Sequence, residues 1–436
     1  MKAAMGRAVQ AVQATQDGVE ATAQAAEGAG MSARRLQAME AWLNERYVAA
    51  GRLPGTVTQV YRRGRLVHAS VLGSMDLERG RPMREDAIFR IYSMTKPITS
   101  VAFMTLVEQG LVGLDDPVSR FIPGWKDLAV AVAGARSLGG FQTRPVQRPM
   151  QVVDLLRHTA GLSYYFQART NVDAAYRELA LGEPANPTGL QGMVDDLSGL
   201  PLDYSPGTEW NYSVATHVVG YLIERISGQP LADYLRAELF EPLGMPDTGF
   251  HVPDDRLERF CACYRPSAEG GLLLQDDPQT SYFRQVPALA SGGSGLVSTA
   301  GDYLRFCRML LGGGSLDGRQ VLSPKTVEMM TANHLPEGRE LAQMSRSSFS
   351  EAVYPGLGFG LGFAVTQNVA RTLMPGSVGD YFWGGGASTA FWIDPAEELA
   401  VVFMTQLLPS TTYGIRRDLR HWVYGAMREA GRRQDG

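Results

Sequence analysis

Apolar and polar positions along the chain alternate with two periods, extended near both ends and helical in between. From Met31 onward, Leu36, Met39, Leu43 and Tyr47 recur at helical spacing, with Ser32 as N-cap and Gly51 as stop, which predicts the first helix of the folded unit. TVTQVYRR and RLVHASVL flank Gly64 and predict a hairpin. The run VAFMTLVEQG, closed by Gly110, predicts a helix with Ser93 near its N-terminus. Pro-punctuated loops and amphipathic runs then follow, among them MQVVDLLRH and ATHVVGYLIERISGQPLADYLRAELFEPLG. Toward the C-terminus SVGDYFWG, TAFWID and ELAVVFMT read as short strands, with Asp394-Pro395 turning between the last two, before a final amphipathic helix near GIRRDLRHWVYGAMREA. Together these predict an α+β fold. A mixed, mostly antiparallel sheet built from residues 31–112 and 286–436 is flanked by helices, and a mainly helical domain, 113–285, is inserted in it.

The 436 residues exceed one typical domain of ~100–200, in keeping with two units that share an interface. Residues 1–30 begin with Lys2 and Arg7, as a signal peptide does. Gln10, Gln13, Gln16, Asp17 and Glu20 interrupt any apolar core, so this extension is expected to be an Ala-rich helix or a flexible arm rather than a secretion signal. No stretch approaches the ~18 apolar residues of a membrane span. A formal net charge of -4 gives no electrostatic case for nucleic acid or an anionic membrane as partner. Cys261, Cys263 and Cys307 are odd in number and lack metal-ligand spacing, so they read as free thiols in a cytoplasmic protein. The sequence leaves the oligomeric state open.

Three segments could carry chemistry. Ser93-Met94-Thr95-Lys96 puts a hydroxyl and an amine three residues apart, on one face of a helix start. A serine becomes nucleophilic when a base takes its proton. A desolvated lysine can act as that base, whereas an arginine cannot. Of 41 basic residues only Lys2, Lys96, Lys126 and Lys325 are lysine, which makes one beside a serine notable. A solvated helix face gives the same spacing without function. Tyr212, between the turn-rich Ser205-Pro206-Gly207 and an apolar helix, is either a proton-handling phenol or a buried aromatic. Trp383-Gly384-Gly385-Gly386 lets a backbone approach a substrate and present N–H groups to an oxyanion, although a β-bulge needs the same glycines. The Gly-x-Ser-x-Gly of an α/β-hydrolase does not occur, Gly293-Ser294-Gly295 being one residue short, and His158 reads as structural rather than as a general base.

In this order FRIYSMTKPITS, DLLRHTAGL, PGTEWNYS, SGGSGLVSTAGDYLRF, GFGLGF and YFWGGGASTAFWIDPAEELAVVFMTQ resemble the class C β-lactamase superfamily, most closely its family VIII carboxylesterases, from about residue 32 onward. The resemblance implies a β-lactamase-like fold with the active site in a cleft between sheet and helices. It makes Ser93 the nucleophile, Lys96 and Tyr212 the base and proton relay, and the N–H groups of Ser93 and Gly386 the oxyanion hole. Neither a metal nor an organic cofactor is implied. Two departures from the β-lactamase pattern bear on substrate: Val214 stands where those enzymes have asparagine, and Trp383-Gly384-Gly385 where they have Lys-Thr-Gly. Loss of a cation and an amide fits a small-molecule ester of short to medium acyl chain better than a β-lactam carboxylate. Trp383, Gly384, Gly385, Val214 and Tyr164, the last with Tyr165 and Phe166, are then candidate substrate contacts. A β-lactamase, an acyltransferase using the same acyl-enzyme, and a non-catalytic binding protein are the alternatives.

Overall fold

The computed structural model describes residues 21–182, 186–345 and 355–431. Of the N-terminal extension, residues 21–28 are helical, and the expectation for residues 1–20 lies outside the described residues. Ser32 caps helix α1 (Ala33–Leu43), accepting from Arg35 N. The helix then widens into a π turn over Asn44–Val48, and the helical path ends by Gly51, whose φ is +64°.

Eight strands form the central sheet: β1 (Gly55–Arg62), β2 (Arg65–Asp76), β3 (Arg81–Pro82), β4 (Leu357–Phe359), β5 (Ala364–Thr366), β6 (Tyr381–Gly384), β7 (Ala390–Asp394) and β8 (Leu399–Met404). Their order is β4-β5-β6-β7-β8-β1-β2-β3, and every neighbouring pair is antiparallel. The β1–β2 hairpin turns through Arg63 and Gly64, both at positive φ (46° and 80°), as a two-residue turn that matches strand twist requires. The N-terminal hairpin joins the C-terminal strands where Val57 meets Met404 and Arg62 meets Leu399.

The central strands β7 and β8 are buried at every residue, which explains why they read as continuous apolar runs. Period two sorts β8 between two cores. Leu399, Val401 and Phe403 pack with Leu36, Met39, Leu419 and Val423 from α1 and from α5 (Ile415–Gly425), while Ala400, Val402 and Met404 face the larger core. That larger core contains α2 (Thr95–Glu108), α3 (Ala215–Ser227) and α4 (Ala300–Leu311). Every residue of α2 from Thr95 to Leu106 is buried, and α2 packs on α3. A helix enclosed on all sides desolvates any polar group it carries, Lys96 included.

Two small hairpins also occupy the stretch read as mainly helical: Ala129–Ala135 with Gly140–Pro145, and Cys263–Pro266 with Leu272–Asp276. The fully buried Arg62 ties the sheet to both chain ends, donating to Ala29 O and Gly30 O and to Glu429 O, and pairs with Glu397 at 2.6 Å. The three cysteines are free and buried. Among the described residues no helix is long and apolar enough to cross a membrane, and no cluster of potential metal ligands occurs.

Candidate active site

The chain enters α2 through a 3₁₀ turn, Tyr92–Met94. Tyr92 is held at φ 42°, a left-handed conformation that an aromatic residue adopts only when its surroundings enforce it. Here Met94 N donates to Ile91 O at 3.0 Å, and the Tyr303 hydroxyl donates to Met94 O at 3.0 Å. The strained turn leaves Ser93 half-buried while Lys96, one turn on, is 1 % exposed.

Lys96 Nζ lies 3.4 Å from Ser93 Oγ, 3.0 Å from the Tyr164 hydroxyl and 2.8 Å from Gly293 O. None of these three partners is a carboxylate, so burial pushes the lysine pKa well below its ordinary 10.5. A neutral amine has two N–H groups and one lone pair. Gly293 O can only accept and therefore takes one N–H, which leaves the lone pair for a hydroxyl proton. The Ser-x-x-Lys spacing thus places beside a serine an amine whose burial favours the unprotonated form.

Tyr212 comes from the loop before α3, which is zipped to residues 158–163. Asn211 N donates to His158 O, the Asn211 amide to Leu162 O, and Val214 N to Ser163 O, each at 3.0 Å. The Tyr212 ring centroid is 4.5 Å from Lys96 Nζ, within cation–π range should the amine take up a proton. Around that ring stand His158 at 5.1 Å, Tyr164 at 5.4 Å and Trp383 at 5.6 Å. Trp383 also meets Phe359 edge-on, so an indole occupies the wall beside Tyr212.

Tyr164, expected as a pocket wall, is buried, and its hydroxyl contacts Lys96; the exposed Phe166 stacks on its ring at 4.6 Å. Val214 is fully buried as the N-cap of α3, and its Cγ1 lies 2.8 Å from where a Cβ on Gly182 would stand. It backs the wall and has no surface facing solvent. His158 sits at φ 59° with Nδ1 3.3 Å from Ser213 Oγ, and burial holds its pKa well below the usual value. It steadies the Tyr212 loop as a neutral ring. His217, enclosed beside Tyr164 and Gly293, is pushed down to about 3 by burial.

The glycine segment passes directly in front of the turn that carries Ser93. A Cβ on Gly385 would collide with Ile91 O and Thr389 Oγ1, and one on Gly384 with the Arg416 guanidinium. Gly386 is half-buried, and a Cβ there would stand 3.8 Å from Tyr92 Cγ. Arg416 braces the segment from behind, donating to Gly385 O at 2.7 Å and Thr389 O at 3.0 Å. Sequence reasoning gave Gly293 and Arg416 no role. Gly293 stood in a failed hydrolase motif and in one of the six resemblance segments without a role of its own, yet a side chain there would strike His217 and displace the carbonyl that orients Lys96.

The site and the sheet define a serine hydrolase class, and comparison with known proteins agrees. The β-lactamase family model matches residues 37–426, and the chain belongs to that family. Protein Rv1367c of Mycobacterium tuberculosis is 36% identical over 83% of this chain and 87% of its own length. Esterase EstB of Burkholderia gladioli is 31% identical over 89% of this chain and 93% of its own. The solved structure of EstCE1, described as a hydrolase with promiscuous acyltransferase activity, superimposes with TM-score 0.74 at 28% identity, covering 90% of this chain and 98% of that one. The β-lactamase-like fold read from the six segments therefore holds, and the esterase relatives support the family VIII placement.

Proposed function

We propose that the protein is a carboxylesterase that cleaves short to medium acyl esters through an acyl-enzyme on Ser93. The observation that carries this reading is a buried lysine amine with no carboxylate among its contacts, 3.4 Å from a serine hydroxyl, beside a wall formed by Trp383 rather than by a cation. In this reading Lys96 Nζ takes the Ser93 proton as Oγ bonds to the ester carbonyl carbon. The N–H groups of Ser93 and Gly386 hold the oxyanion, each worth about 3 kcal/mol. Collapse breaks the bond to the alcohol oxygen, which takes a proton from Tyr212, and Lys96 re-protonates Tyr212. Water then adds to the acyl carbon, its proton passing back through the same pair, and the acid leaves with Ser93 restored. Apolar acyl groups suit the rings of Trp383 and Phe166.

Hydrolysis of p-nitrophenyl acetate, butyrate and octanoate, run beside nitrocefin, tests the proposal. Ester turnover should exceed nitrocefin turnover and fall to background in Ser93→Ala, which keeps its fold. Ester turnover surviving in that variant, or fast nitrocefin cleavage with negligible ester cleavage, overturns it. Likeness to EstCE1 favours one second reading, transfer of the acyl group to an alcohol in place of water. Product analysis with added acceptor alcohols separates the two.

A further inference from the structure

A cavity of about 560 Å³ opens between the C-terminal end of α3, the short helix Leu231–Leu235, the loop 246–253 and the segment 286–290. That volume falls within the ~300–1,000 Å³ of small-molecule sites. Leu190, Phe240, Phe250, Pro246, Pro287 and Ala290 give it an apolar lining, and Val286 stands 76 % exposed at its edge. Ser93, Lys96, Tyr212 and Trp383 are not among its walls.

The charges on its walls do not cancel. Arg236 is held by Asp233 and Glu241, each at 3.1 Å, and Arg256 by Asp247 at 2.9 Å, which Arg259 also grips. Glu224, in the last turn of α3, is the exception. Its Oε1 accepts from Leu231 N at 2.8 Å, which pins the carboxylate against another wall residue, and among the described residues no cation pairs with it. Oε2 takes no hydrogen bond there and is not sealed from solvent, because Glu224 is only half-buried. With no cation to offset its lost hydration, burial raises the Glu224 pKa above the ordinary 4.5 by more than the Leu231 N–H lowers it. The carbonyl end of α3 adds negative potential of the same sign. His251 also lines the cavity and, as a neutral ring, offers one more acceptor.

From these features we infer that this cavity is a second ligand site, which takes a primary organic ammonium with a compact apolar body. The ammonium donates to Glu224 Oε2, a charge-assisted contact roughly twice as strong as a neutral one. The body lies against Leu190, Phe240, Phe250 and Pro287. An ammonium has three donors and no lone pair, so nothing on it repels the carboxylate. An alcohol of the same shape lacks the charge, and a carboxylic acid sets two anions together while both wall arginines are already paired, so each binds more weakly.

The probe is 4-phenylbutylamine, titrated calorimetrically into the full chain and into its Ser93→Ala form, with 4-phenylbutan-1-ol as the uncharged match and 4-phenylbutyrate as the opposite charge. One equivalent of amine should bind to both forms alike, and the alcohol and the acid about tenfold or more weakly. Glu224→Gln keeps an oxygen for Leu231 N and should weaken the amine about tenfold while leaving the alcohol within about twofold. Ala232→Trp puts an indole into the cavity beside Leu231 and should abolish saturable amine binding; because Ala232 is exposed, this variant keeps the test valid if the Glu224 variant misfolds. Equal affinity for amine and alcohol, acid binding as tightly as amine, binding indifferent to Glu224→Gln or to Ala232→Trp, binding lost in Ser93→Ala, or no saturable binding overturns the assignment. None of these readouts depends on ester hydrolysis, so they stand or fall apart from the proposed activity.

Discussion

Gly385→Ala isolates the contribution of the glycine segment proposed to hold the oxyanion. The added methyl would land on Thr389 Oγ1 and Ile91 O. The threonine hydroxyl can rotate away. Ile91 O cannot, because it is backbone of the turn that sets Ser93 and already accepts from Met94 N. A Cβ needs at least 3.0 Å from such an atom, so the Gly385-Gly386 backbone must retreat by roughly half an ångström, the limit of tolerance for a catalytic contact. Arg416 resists that retreat from behind through its bond to Gly385 O. Losing one oxyanion donor lowers kcat by about 10²–10³, or ~3 kcal/mol, while ground-state binding of the ester changes little. The assay is p-nitrophenyl butyrate hydrolysis, with thermal unfolding as the check on folding. Gly425→Ala, where a methyl meets nothing within 4 Å, is the matched control and should leave the rate unchanged. A folded Gly385→Ala enzyme with kcat within about fivefold of wild type would refute the argument.

Other expectations follow from the same contacts. Lys96→Arg keeps the charge and removes the base, so ester turnover should fall nearly as far as in Ser93→Ala; a variant retaining most of its rate removes Lys96 as proton acceptor. The folded chain keeps Lys96 neutral at pH values where the unfolded chain protonates it. The unfolded state therefore binds more protons, and stability rises with pH between the lowered lysine pKa and 10.5. Urea unfolding across that window should show a shallower pH slope, and a higher midpoint at pH 7, for Lys96→Met. An equal slope would mean the buried amine is charged. Tyr164→Phe deletes the 3.0 Å contact to Lys96, worth ~0.5–1.5 kcal/mol, and should lower kcat about three- to tenfold in steady-state assays; an unchanged kcat would take the hydroxyl out of the proton network. Burial lowers His68 to about 4; its ring is 3.9 Å from Glu40, too far for a hydrogen bond, so desolvation prevails. Stability that is full above 6.5 is then lost as pH falls toward about 4, by roughly 3 kcal/mol. Replacing His68 with leucine should flatten that acid limb in pH-dependent unfolding; an identical limb would refute the assignment.

Local chemistry alone determined much of this protein. Period-two alternation around Arg63-Gly64 specified the first hairpin, and the Ser32 cap specified the first helix, because both depend on residues close in the chain. Ser93 and Lys96 were legible as a pair for the same reason, since three residues is the reach of one helical turn. What stayed hidden depended on residues brought together from far apart. Gly293 lies 197 positions from the lysine it orients, and no spacing rule links a carbonyl to an amine at that separation. Tyr164 read as an aromatic wall because its hydroxyl gains meaning only once Lys96 is buried beside it. Val214 read as a cleft contact by its place in a motif, yet tertiary packing turned it against Gly182. The lysine itself is the sharpest case. The sequence supplied an amine three residues after a serine, and only its burial in α2 lowers that amine's pKa, because desolvation belongs to the packed molecule and not to the chain.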